Sequence, residues 1–72
     1  MLVYVEWEDS CTVYGWRDPE LDGPSKIKSV GHLVTKNNKF MVISTSQSES
    51  GRFVDQLTIP RSCIKKIKKV KV

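Results

Sequence analysis

From Leu2 to Glu8 apolar and polar side chains alternate, with Val3, Val5 and Trp7 on one side and Tyr4, Glu6 and Glu8 on the other. A period of two belongs to a strand with one buried face, so this segment is predicted to be the first strand, with Trp7 in the core. The alternation stops at Asp9. Between there and Ser25 the chain carries Gly15, Pro19, Gly23 and Pro24 among acids and small polar residues, which suits neither helix nor sheet. A loop of about seventeen residues is expected, and loops of that length are commonly functional.

Strand character returns from Lys26 to Thr35, where Val30, His32 and Val34 face one way and Ser29, Gly31 and Leu33 the other. Gly31 within such a run is expected to mark a bend or bulge. Lys36-Asn37-Asn38-Lys39 then reads as a tight hairpin turn into Phe40 to Thr45, because asparagine tolerates the positive φ angles that two-residue turns use. Ser46 to Gly51 is polar and is expected to be a mobile loop. Arg52 to Ile59 is the next strand, with Phe53, Leu57 and Ile59 in phase and Asp55 the exception on that face. Pro60 has no N–H to give a ladder, so the strand should stop there, and Pro60 to Cys63 fits one turn of 3₁₀ helix. In Ile64 to Val72 the apolar residues Ile64, Ile67, Val70 and Val72 are spaced three, three and two. That spacing fits either a bulged strand or a short amphipathic helix, and the β-branched side chains favour the strand.

Five short strands with a turn before the last describe an all-β fold, a small, strongly bent antiparallel barrel. The 72 residues, 39% hydrophobic and 28% charged, form a single domain spanning 1–72, since a chain this short cannot fill two cores. Such a domain buries only about 60% of its unfolded surface, so a ligand site is expected on its exterior or between subunits. The net charge of +4 is unevenly placed: Glu6 to Asp22 holds six acids and one base, and Arg61 to Val72 holds six bases and no acid. A lysine-rich end attracts phosphate or another anionic surface, although it also serves as a solubilising guard on an edge strand. No apolar run approaches membrane-spanning length and no basic leader precedes one, so a cytoplasmic protein without a membrane partner is expected. Cys11 and Cys63 are read as thiols rather than a disulfide, and together with His32 they lack the paired spacing of a zinc site.

The segments Lys28-Ser29-Val30-Gly31-His32-Leu33-Val34, Phe40-Met41-Val42-Ile43 and Leu57-Thr58-Ile59-Pro60-Arg61-Ser62-Cys63-Ile64 resemble Sm-like and related small barrels. The shared pattern is a glycine in a bent strand, a hairpin, then an apolar strand entering a short turn. The resemblance implies a barrel that assembles as a homo-oligomer and is able to bind RNA. No Sm-type Asn or Arg-Gly signature stands in register at Thr45 to Ser48 or around Ile59-Pro60-Arg61, so the RNA-contacting residues do not carry over. Val5 to Cys11 with Gly15-Trp16, Ser29-Val30-Gly31 and Ile59-Pro60 is similar to a group of small bacteriophage and prophage proteins, in which an aromatic commonly stands at the position of His32. Small phage proteins of this size are often antagonists of host defence, and some act as sponges for a signalling nucleotide. The resemblance therefore implies an anti-defence role in the host cytoplasm.

The residue types for holding a small nucleotide are present. Trp16 offers a face for stacking, Arg17, Lys28 and Arg61 offer cations for phosphate, and Asp9, Ser10 and Ser29 offer short polar groups for sugar or base edges. Arg61 is expected at the start of the 3₁₀ turn, where backbone amides and a cation receive an anion together. The ordinary alternatives are that Trp16 closes the barrel mouth, Asp9 and Ser10 satisfy turn amides, and Arg61 is solvated. No nucleophile is placed beside a base and no Gly-rich phosphate loop occurs, so a non-catalytic protein without a cofactor or metal is expected. The reading is an oligomeric protein that sequesters a small nucleotide. A second reading is an RNA- or DNA-binding barrel that uses the Lys65 to Lys71 cluster, and a third is an inhibitor that presents its acidic loop to a host protein.

Overall fold

A computed structural model of the chain describes residues 1–9 and 24–71. The order is β1 (Leu2–Asp9), β2 (Ser25–Lys36), β3 (Phe40–Gln47), β4 (Phe53–Pro60), a 3₁₀ turn η1 (Arg61–Cys63) and β5 (Ile64–Val70). All neighbouring strands are antiparallel, in a single five-stranded sheet ordered β4-β3-β2-β1-β5.

The sheet is strongly bent but not closed. Its two outer strands, β4 and β5, are joined by the three residues of η1. Across a flat sheet, four gaps of about 4.8 Å would hold them at least about 19 Å apart, whereas three residues of 3₁₀ helix cover about 6 Å. The ends must therefore curl toward each other. The core shows the same: Ile59 of β4 is fully buried in one cluster with Val3, Val5, Met41 and Ile43, and Ile64 and Ile67 of β5 pack against it with Trp7 and Leu33. No ladder joins β4 to β5, so the cylinder expected from the pattern is, among the described residues, a curled open sheet with β4 and β5 at its edges.

Tertiary packing selects which face of β2 turns inward. By register with buried Val3 and Val5, it is the face bearing Ser29 and Gly31, while Val30 is 61% exposed. Gly31 makes no bulge. A Cβ there would stand 2.8 Å from the carbonyl oxygen of Ser44 and 3.2 Å from the Ile43 Cβ, so the glycine allows β3 to approach closely. The irregularity lies further on, between Leu33 and Thr35.

Both hairpins differ from expectation in mechanism. Asn37 and Asn38 do not adopt positive φ. Instead the Asn37 side-chain oxygen accepts the Lys39 and Phe40 N–H groups at 2.8 and 2.9 Å, a side-chain-closed turn. β3 continues to Gln47, and the segment expected to be mobile is a compact turn. The Ser48 N–H donates to the Arg52 carbonyl and its carbonyl accepts from Gly51, whose φ of 87° is the left-handed conformation glycine permits.

The last segment is a strand, and its odd spacing has a structural explanation. Ile64 pairs with Trp7 and Lys66 with Glu6, leaving Lys65 as an extra residue in a bulge. That bulge restores Ile64 and Ile67 to one face despite their spacing of three. Val70 then falls on the opposite face, across from Leu2.

Candidate functional site

The outward face of β2, β1 and β5 is an ordered lattice. Across the three strands run the rows His32–Leu2–Val70, Val30–Tyr4–Lys68 and Lys28–Glu6–Lys66, with Lys26 opposite Glu8 beyond them. Alternation places these side chains on the face opposite the core residues Val3 and Val5. Glu6 is flanked by a lysine on either side, an arrangement in which opposite charges on neighbouring strands attract. Four lysines against two glutamates leave this end of the face positive.

At the same end lies an open groove of about 430 Å³ lined by Glu6, Trp7, Glu8, Lys26, Ile27, Lys28, Lys65 and Lys66. The two pairs of lysines, Lys26 with Lys28 and Lys65 with Lys66, are far apart in the chain. β1 brings them together by pairing with β2 on one side and β5 on the other, and the bulge that shifts the β1–β5 register leaves Lys65 as an additional cation beside Lys66.

The residues expected to form one nucleotide pocket are distributed. Asp9 is exposed at the end of β1 opposite Ser25, at the root of the intervening segment. Ser10, Trp16 and Arg17 lie outside the described residues. Lys28 and Ser29 are consecutive in a strand and so point to opposite faces: Lys28 joins the lysine groove, whereas Ser29 accepts a hydrogen bond from Trp7 Nε1 at 3.1 Å. The expectation that both serve one pocket is corrected by this alternation. Trp7 is half-buried at the margin of the core rather than within it.

Arg61 begins η1, as expected, but its backbone amide is not available to an anion, because it donates to the Lys39 carbonyl at 2.9 Å. Its guanidinium Nη1 is buried without a hydrogen-bond partner among the described residues, and Arg61 does not line the lysine groove.

A smaller recess of about 220 Å³ is lined by Ser29, Val30, Ile43, Ser44, Thr45, Asp55 and Leu57. Asp55 has φ of 53°, the one non-glycine positive φ among the described residues, which accounts for its break in the phase of β4. Ser44 is buried, and its hydroxyl accepts from the Ser46 N–H and donates to the Val54 carbonyl, tying β3 to β4. These hydroxyl groups serve the fold.

Among the described residues, no group of three His, Cys, Asp or Glu side chains is placed to hold a metal ion, and no helix is long and apolar enough to cross a membrane. Comparison of the chain with protein-family models, curated proteins and solved structures finds no match. The sequence points to Lys28 and to the Lys65–Lys71 cluster separately, and only the strand pairing places them with Lys26, Glu6, Trp7 and Glu8. The period-two pattern separates the two faces of β1 and β2, and what it lacks is which face of β2 turns inward and the pairing of β1 with β5.

Proposed function

We propose that the protein binds nucleic acid through the outer face of β2, β1 and β5. The observation that carries this reading is the convergence of Lys26, Lys28, Lys65 and Lys66 on one groove, with Lys68 one row further along the same face. Lysines arranged along a strand edge and across neighbouring strands meet successive phosphates, and binding of that kind releases counterions. The test is the affinity of a fluorescein-labelled 15-nucleotide oligomer measured from 50 to 300 mM salt. The log–log plot is expected to be steep, and replacing Lys28 and Lys66 together by Ala should reduce its slope by about 0.7 per lysine. Absence of binding at 50 mM salt overturns the proposal.

A second reading keeps the small nucleotide as ligand, sequestered without catalysis. It is supported by the position of the same groove, with Trp7 in its wall, at the root of the segment that carries Trp16 and Arg17. A mononucleotide makes few phosphate contacts, so its salt slope would be shallow, which separates the two readings in one titration. A phage anti-defence role belongs to this second reading. Assembly into a homo-oligomer suits either one. Its support is the outer edge of β4, which pairs with no described strand, has Val54 53% and Leu57 39% exposed and holds no lysine, whereas the β5 edge carries four.

A further inference from the structure

The outer face holds more than its lysines. Val30 lies on β2, an interior strand of the sheet, yet it is 61% exposed, so no described element covers this part of the face. Solvated outer faces of antiparallel sheets are ordinarily polar. Here a patch of Leu2, Tyr4, Val30, His32 and Val70 continues directly from the charged rows. Tyr4 sits at its centre, paired with Val30 on one strand and Lys68 on the other, and is one row of about 7 Å from Lys28 and Lys66.

We infer that the ligand is single-stranded and that Tyr4 is the platform on which one of its bases stacks, with Lys28, Lys66 and Lys68 holding the flanking phosphates. This inference rests on the nucleic-acid reading above. An aromatic ring on a sheet surface beside cations is the arrangement that receives an unpaired base, because every base presents a π-face. His32, one row beyond Val30 on β2, offers a second ring to the next base. A duplex does not fit this surface. Its bases are already stacked, and three strands are about 10 Å wide before their side chains are added, too broad to enter a major groove of about 12 Å.

The experiment measures binding of labelled dT15, rU15 and a 15-base-pair duplex to the intact chain and to Tyr4→Ala, Tyr4→Leu and Tyr4→Phe. Each variant is first checked for an unchanged circular-dichroism spectrum. Tyr4→Leu keeps apolar volume on the face, and serves if the alanine variant does not fold. Loss of the ring is expected to weaken single-strand binding about 5- to 150-fold with the salt slope unchanged, while Tyr4→Phe stays within about twofold. Single-strand binding that is indifferent to all three substitutions, or a preference for the duplex, overturns the inference and leaves the nucleic-acid reading standing. Failure of all three probes to bind at 50 mM salt overturns both.

Discussion

At residue scale, Gly31 shows how a small side chain is demanded by a neighbouring backbone rather than by its own dihedral angles. A methyl group at this position meets the Ser44 carbonyl oxygen at 2.8 Å, and that oxygen belongs to the β3 main chain, which cannot rotate away. Gly31→Ala is therefore expected to destabilise the protein by about 1–3 kcal/mol in urea unfolding, the usual range for forced overpacking. The small gain from restricting the unfolded chain, about 0.4–1 kcal/mol, does not offset it. A stability equal to the parent's would show that β3 yields at this crossing. Glycine in the strand was plain from the sequence, but its reason was not, because the atom it avoids is thirteen residues away.

At the scale of the element, each turn is held by particular side chains, and the strands take their lengths from them. Asn37 closes the β2–β3 hairpin with two hydrogen bonds to backbone amides. Asn37→Ala should cost about 1 kcal/mol in thermal or chemical unfolding, since each such bond contributes modestly at an exposed site. Asn37→Asp keeps an acceptor and should retain most of that stability, whereas a turn that relied on positive φ would favour glycine instead. The β5 bulge is the second element-scale device. Were Lys65 paired in a regular ladder instead of bulged, Ile64 and Ile67, three residues apart, would occupy opposite faces of the strand, and only one of them would reach the core. Read alone, the spacing of three was equally that of a helix, and pairing with β1 decides between the two.

At the scale of the molecule, a three-residue turn between the outermost strands curls the sheet, and the curl produces both the core and the convex outer face that carries the lysine rows. The curl also leaves two edges with different protection. Four lysines guard β5, while the outer edge of β4 pairs with no described strand and lies beside exposed Val54 and Leu57. If copies of the chain associate through β4, Val54→Lys should shift the sedimentation-velocity distribution toward monomer without changing the far-ultraviolet spectrum. An unchanged distribution removes β4 from the interface.

How much of this was legible beforehand follows from the range of each interaction. Alternating side chains marked four strands, Pro60 marked the end of the fourth, and charge counting marked a basic terminus, because strand period, proline geometry and net charge are local or additive properties. The amino-acid sequence by itself thus determined four strands and the 3₁₀ turn after the fourth, and favoured a strand for the last segment through its β-branched residues, with pairing to β1 deciding it. Tertiary structure alone decided that the sheet stays open and that the face of β2 bearing Ser29 and Gly31 turns inward. It alone set Lys28 and Ser29 to different sides of a single pocket's worth of candidates, and joined Lys26 and Lys28 to Lys65 and Lys66. Those outcomes depend on which strands pair and in what register, and pairing is settled by contacts between residues far apart in the chain that no local pattern records.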